Sequence, residues 1–268
     1  MDTFSIIISF IFGTIVGSFL NVVSLRFNTG STLNGRSKCM SCGKTLTWKE
    51  LIPLFSFLVQ RGTCAKCRSK ISWQYPLVEF SAGAVFVLIF IMYPPLTYIQ
   101  AFTTALLVFI TCLLIVISVY DIRHKIIPDA FVYTFALATL VGLCVGGSSW
   151  WHVPSWTAFL AGPLLALPFA LIWLISKGTW MGLGDAKLTL GIGWLLGWNG
   201  GVNALVLAFW IAALISVIWL FVTYKRFKPK TEIPFGPYLI IGLYLVLLFK
   251  IQIIDMHMLT DIVMSYVR

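Results

Sequence analysis

Two aspartates stand in a stretch of sequence with almost no other charge. Asp121 closes an apolar run in Ile117-Ser118-Val119-Tyr120-Asp121, and Asp185 opens another in Gly182-Leu183-Gly184-Asp185-Ala186-Lys187. An ionisable side chain within or beside a membrane-length apolar segment is expensive, which makes it a functional candidate by default. Two carboxylates a few ångströms apart cannot both ionise easily and would share one proton. One can then act as general base on a water while the other donates a hydrogen bond to a scissile carbonyl. Gly182 and Gly184 suit such a site, because residues without side chains tolerate unusual dihedrals and let a peptide backbone approach. Plainer roles stand beside these. Asp185 could cap the helix it starts, and Asp121 could pair with Arg123 or a nearby lysine. Lys187 could hold the local field of the pair, bind a substrate carboxylate, or snorkel to the interface. Asp129, directly after Pro128, reads as an N-cap. His124, His152 and His257 are scattered and define no site.

A second constellation is Cys39-Met40-Ser41-Cys42 with Cys64-Ala65-Lys66-Cys67. Each Cys-x-x-Cys knuckle presents two thiolates to one ion, and two knuckles complete a tetrahedral site of four sulfurs. A segment of some fifty residues builds little core, so a structural metal would hold it together. Zinc is the expected ion, with iron or disulfides as the alternatives. Four thiolates fill the coordination shell, so the site is structural and not catalytic. Cys112 and Cys144 lie in apolar runs and read as core residues.

The elements that must carry these groups follow from composition. Of 268 residues, 59% are hydrophobic and 10% charged, against roughly 25% charged in a soluble domain. With a mean hydropathy of +0.95, the bilayer must be the solvent. Eight apolar segments are expected at 3–25, 77–93, 98–120, 129–146, 156–176, 185–198, 201–224 and 235–250. The sixth is short and glycine-rich. Turn chemistry separates them at Tyr93-Pro94-Pro95, Gly146-Gly147-Ser148-Ser149, Asn199-Gly200-Gly201 and Pro234-Phe235-Gly236-Pro237. The first segment follows Asp2 and no basic region, so it reads as a retained helix and not a cleaved signal. Gly13 with Gly17, and Gly193 with Gly197, have the spacing that lets helices pack closely.

The 19 Lys and Arg against 9 Asp and Glu are unevenly placed. Loop 26–76 holds nine of the basic residues (Arg26, Arg36, Lys38, Lys44, Lys49, Arg61, Lys66, Arg68, Lys70) against Glu50 alone. Arg123, Lys125, Lys177, Lys225, Arg226, Lys228 and Lys230 fall on the same side, whereas loops 94–97, 147–155 and 199–200 have neither Lys nor Arg. The basic loops therefore face the cytoplasm and both termini face out. Trp150, Trp151, Trp156 and Trp198 suit an outer aromatic belt. The charge is a topology signal that also favours anionic lipid head groups, and no nucleic-acid module accompanies it. The expected fold is an all-α polytopic membrane protein of about eight transmembrane helices. It divides into a first helix (1–25), a cytoplasmic four-cysteine domain (26–76), a seven-helix membrane domain (77–254) and an outer tail (255–268).

Read in order, these motifs resemble those of the type IV prepilin peptidases, a family of GxGD-type aspartyl proteases. The resemblance is carried by Gly17-Ser18-Phe19-Leu20-Asn21-Val22-Val23 with Arg26, and by Arg36-Ser37-x-Cys39-x-x-Cys42. It continues through Ile52-Pro53-Leu54-Phe55-Ser56-Phe57-Leu58, Arg61-Gly62-Thr63-Cys64-x-x-Cys67 and Ile71-Ser72-Trp73-Gln74-Tyr75-Pro76-Leu77-Val78-Glu79. Asp121 through Ile127-Pro128-Asp129, then Gly182-Leu183-Gly184-Asp185, complete it. Met40 departs from the pattern, where a proline is usual. The resemblance implies catalysis by Asp121 and Asp185 on prepilins and pilin-like proteins, whose short basic leader is cut off at the cytoplasmic face of a bacterial inner membrane. It also implies methylation of the new N-terminal amine with S-adenosylmethionine. No glycine-rich nucleotide loop follows a strand, and a cationic cofactor is poorly hosted by a basic loop. Glu50 and Glu79 are therefore its candidate contacts, with Gly62 as a point of backbone approach. Surface charge, helix packing and a turn are the plainer readings of those three. The rivals are a peptidase without methyl transfer and a proton-coupled transporter with the two aspartates as relays. The absence of internal repeats counts against the transporter.

Overall fold

The computed structural model describes residues 2–29, 32, 35–145, 153–223 and 234–255. The turn at 146–149, Trp150, Trp151, His152, Lys225, Arg226, Lys228, Lys230, His257 and the tail after Asp255 lie outside the described residues. Where lipid is the solvent, backbone groups must be satisfied within a segment, and the helix does this alone. The described residues accordingly form helices and no strand: α1 (Thr3–Arg26), a 3₁₀ turn (Trp48–Leu51), α2 (Phe55–Val59), α3 (Gln74–Met92), α4 (Tyr98–His124), α5 (Asp129–Cys144), α6 (Trp156–Ser176), α7 (Leu183–Thr223) and α8 (Gly236–Phe249). Five of them, α1, α3, α4, α6 and α7, are long and apolar enough to cross a membrane. Helices α5 and α8 are apolar but shorter.

The chain divides into two compact units, 1–119 and 120–268, the division falling inside α4. In the first unit α1 packs on α3 through the expected glycines. A Cβ on Gly13 would lie 2.7 Å from Gly83 Cα, and one on Gly17 2.8 Å from Ala82 Cβ. A buried polar network ties the same pair together. Asn21 Nδ2 donates to the Tyr75 carbonyl (3.3 Å), and Gln74 Nε2 donates to Asn21 Oδ1 (3.2 Å).

In the second unit α7 packs against α5, α6 and α8. Gly193 meets Gly162 of α6, where a Cβ would fall 2.6 Å from the Gly162 Cα. The expected segments 185–198 and 201–224 are not separated by a loop at Asn199-Gly200-Gly201. They form one stretch of helix broken at Gly197 alone (φ 69°, ψ −175°). Gly197 therefore serves the backbone and not the packing, since nothing lies within 4 Å of where its Cβ would be. The two expected segments correspond to the two pieces of α7, divided at Gly197, and the count of eight spans is not confirmed.

Other boundaries also move. Helix α4 runs on to His124, so Asp121 lies in its last turns and not at its end. Pro128 flanks α5, and Asp129 is the first helical residue and not the N-cap. Cys112 and Cys144 are half-buried, not core.

Candidate active site and metal centre

Asp121 comes from the last turns of α4 and is 4% exposed; Asp185 comes from the first turn of α7 and is 8% exposed. The charge of Asp121 is among those that act on Asp185, so the fold brings the two into electrostatic reach across 64 residues of sequence. Both meet helix N-termini, where unpaired main-chain N–H groups favour an anion. Asp121 Oδ2 accepts from the Gly236 N–H at the start of α8 (3.0 Å). Asp185 is the third residue of α7, and its carboxylate reaches back to the main chain of Gly182, as an N3 carboxylate does in a capping box. Capping and site membership are thus compatible for Asp185.

The glycines act through space and not through unusual dihedrals, since neither Gly182 nor Gly184 has a positive φ. A Cβ on Gly184 would stand 2.7 Å from Ile127 Cβ. A Cβ on Gly236 would stand 2.7 Å from Asp121 Oδ2 and 3.4 Å from Ile127 Cδ1. Buried Ile127 thus sits between the two glycines that adjoin the two carboxylates. Gly182 is the open position: the nearest side-chain atom to its Cβ site is Asp185 Oδ2 at 3.9 Å. Sequence reasoning passed over Ile127 and Gly236. The one signal for Gly236 was Gly-Pro at the start of an apolar helix, which leaves a free N–H beside a residue with none.

Lys187 is turned to other partners. Its Nζ lies 2.6 Å from Asp129 Oδ1 and 4.7 Å from the centre of the Tyr133 ring. The lysine therefore ties the start of α7 to the start of α5.

In the first unit the four sulfurs of Cys39, Cys42, Cys64 and Cys67 lie within 4.8 Å of one another. Sulfurs ~2.3 Å from a tetrahedral zinc would be about 3.8 Å apart, and Cys39 and Cys67 stand at 3.8 Å. All four cysteines are unpaired in this structure, as a site of four thiolates requires. The knuckles share one construction. Cys39 N–H donates to Lys44 O and Gly43 N–H to Cys39 O; likewise Cys64 N–H donates to Ser69 O and Arg68 N–H to Cys64 O, all at 2.9 Å. Gly43 (φ 68°) and Arg68 (φ 55°) occupy the matching left-handed position. Hydrogen bonding from the Cys42 main chain brings the Cys39 thiol down to about 6, and the Ser69 hydroxyl holds Cys67 down too. At Cys42 the Lys44 main chain pulls downward, yet burial and the neighbouring sulfurs win and raise it to about 11. Four sulfurs gathered this closely are what a divalent cation would reconcile. The donor set fits zinc.

The three expected cofactor contacts fare unequally. Glu50 is occupied: Oε1 pairs with Lys44 (2.7 Å) and Oε2 accepts from Thr47 N–H (2.9 Å), and the Lys44 bond brings its carboxyl down to about 2. The Cβ site of Gly62 (φ 67°) is faced by the Phe57 ring at 3.1 Å. Glu79 is buried in α3, and its Oε2 accepts from the Leu54 N–H (2.8 Å). The described residues form no evident cradle for a nucleoside around these three.

A helical multi-pass membrane protein with two buried carboxylates at helix N-termini and a separate four-thiolate centre is a narrow class. Residues 11–93 match the model of the bacterial peptidase A24 N-terminal domain, and residues 107–218 that of the type IV leader peptidase family. The chain is 34% identical to the prepilin leader peptidase/N-methyltransferase of Bacillus subtilis (strain 168), over 93% of this chain and 96% of that one. Proteins of the same name match from Xanthomonas campestris pv. campestris (30% identical, 91% of each chain) and Stutzerimonas stutzeri (27%, 92% of each). No solved structure matches. The chain belongs to the type IV leader peptidase family.

Proposed function

We propose that this protein cleaves the leader from prepilins and pilin-like proteins with Asp121 and Asp185 as the catalytic pair, and N-methylates the product. The observation that carries the first part is the convergence of two buried carboxylates in a chain related over nearly its whole length to prepilin leader peptidase/N-methyltransferases. One carboxylate takes a proton from water as its oxygen adds to the scissile carbonyl. The other, protonated, donates a hydrogen bond to that carbonyl oxygen. Collapse of the intermediate breaks the C–N bond and delivers a proton to the leaving amine. The Gly236 N–H fixes the rotamer of Asp121, and Ile127 spaces the helix starts. Gly182 is open to a substrate backbone. Lys187 supports the site from outside through Asp129.

S-adenosylmethionine, the methyl donor implied by the names of the relatives, supplies a methyl group to the new amine. Of the candidate contacts Glu79 is the one we retain, since Glu50 is committed to Lys44 and Thr47. Cys39, Cys42, Cys64 and Cys67 hold a structural zinc. We assign the cysteine domain (26–76) to the cytoplasmic face of a bacterial inner membrane, with the peptidase in 77–254 and the tail from 255 outside. This rests on the distribution of Lys and Arg. Lipid is the surrounding medium and nucleic acid has no part.

The test is cleavage of a prepilin by the protein in lipid. Asp121→Asn and Asp185→Asn should each lose ~10²–10⁴-fold in rate, the usual worth of a general acid or base, while remaining folded. Normal cleavage by either variant removes that residue from the pair. Product mass reads methylation, each methyl adding about fourteen daltons, and Glu79→Gln with bound labelled cofactor tests the retained contact.

A further inference from the structure

From the structure we infer that the segment Trp48–Val59 of the cysteine domain is a membrane-surface anchor, seated among anionic lipid head groups beside α3. This goes beyond the catalytic reading and does not depend on it. The segment carries an apolar face that nothing in the described chain covers: Trp48 is 71% exposed, Phe55 60% and Leu58 73%. Phe55, Leu58 and Val59 have i, i+3, i+4 spacing on α2 and so share one side, and Val59 too is exposed.

A bond to α3 fixes the depth of this face. The Leu54 N–H is held by Glu79 Oε2. Glu79 lies five residues beyond the start of α3, about 7–8 Å along its axis. The segment therefore lies alongside the first turns of a membrane-crossing helix and not beyond its end. Leu54 takes φ 61° and ψ −49°, with the Phe55 N–H bonded to the Pro53 carbonyl (2.6 Å). That is the rare, strained γ-turn, and α2 begins directly after it. At the same level Trp73 is exposed and its ring lies 5.0 Å from that of Phe57. Tryptophan at the end of a membrane helix is a residue of the headgroup zone.

Charge names the lipid. The domain carries nine basic residues against Glu50, and Glu50 is already neutralised by Lys44. Lys49 sits 5.6 Å over the Trp48 ring, and Arg61 follows α2. Cations flanking an apolar face at the interface favour an anionic surface.

The full chain is reconstituted in nanodiscs of equimolar phosphatidylcholine and phosphatidylglycerol, with a diazirine amino acid in place of Leu58, and irradiated. Retained metal shows that the domain is intact, and the same label in place of Val59 stands in if the first disturbs it. Lipid adducts should dominate, with about two or more phosphatidylglycerol adducts for each phosphatidylcholine adduct. Predominant addition of water would show the face in solvent and overturn the inference. Predominant adducts within the chain or to a second copy would show that protein covers it, and overturn the inference equally. Lipid adducts without enrichment of phosphatidylglycerol would overturn the anionic part. None of these outcomes bears on Asp121 or Asp185, whose test is cleavage.

Discussion

A Cβ on Gly236 would stand 2.7 Å from Asp121 Oδ2, and one on Gly184 the same distance from Ile127 Cβ. Real Cβ atoms do not tolerate such approaches, and in both cases the obstacle sits at the site or on the residue that spaces it. Overpacking of this kind costs about 1–3 kcal/mol. Here the strain would be relieved by moving a carboxylate, and a misplacement of ~1 Å can cost about 100-fold in rate. Gly236→Ala and Gly184→Ala should therefore lower kcat by roughly that factor and leave KM near its original value. Ile127→Ala should not rescue Gly184→Ala, because the offending atom is the Cβ that alanine retains. Gly182→Ala meets Asp185 Oδ2 only at 3.9 Å, so it should spare kcat and raise KM by crowding the substrate backbone that approaches there. Steady-state kinetics on a prepilin peptide separates these. Loss of kcat in Gly182→Ala would mean that the crowding account is wrong for this motif. The two aspartates were legible in the sequence because charge is scarce in apolar runs. Ile127 and Gly236 were not. An isoleucine before a proline and a glycine in a turn look alike whether or not they touch a residue more than a hundred positions away.

At the scale of elements, the cysteine domain has little of its own to hold it. Its strand pairing amounts to isolated bridges, Lys38 with Thr45 and Thr63 with Lys70, and of the four cysteines only Cys64 is buried. A metal bound by the four cysteines would then supply most of its folding free energy. Chelation, or Cys64→Ser, should abolish amide protection across residues 37–46 and 62–71, leaving α5 to α8 as protected as before. Hydrogen exchange read by mass spectrometry checks this. Persistence of the domain without metal would make the cysteines something other than its staple. Metal spacing was readable because ligand chemistry dictates it. The surroundings of that site were less so. A loop of basic residues reads as a domain in water, yet the bond between Leu54 and Glu79 draws part of it alongside α3, and no local pattern announces a long-range contact to a main-chain N–H. Asp129 shows the same limit. Aspartate after proline has the composition of a helix start, but its carboxylate is drawn to Lys187, 58 positions on.

Over the whole molecule the unresolved tension lies in α7. A helix of 41 residues would extend about 60 Å, twice the ~30 Å of a bilayer core. It cannot be one straight span, and Gly197 is its single non-helical residue. The piece before the break carries Asp185, which must stay level with Asp121. The piece after it is nearly all apolar. The positive-inside pattern puts Arg123, Lys125 and Lys177 on one side and leaves the region around Asn199 without a cation. If Gly197 marks the point where the chain reaches the outer surface, an epitope inserted at Asn199 should be reached by antibody from outside the cell. Epitopes at Ile126 and Gly178 should be reached only after the membrane is opened. Trp198, exposed beside the break, would then sit at the outer interface where tryptophan belongs. Protection of the Asn199 epitope on both sides would show that the break is buried in the bilayer and that both pieces of α7 belong to one deformed span. Access from the inside alone would reverse the orientation inferred from charge and move the cysteine domain with it. The placement of Gly197 thus decides how the chain threads the membrane, and with it on which face a substrate meets Asp121 and Asp185.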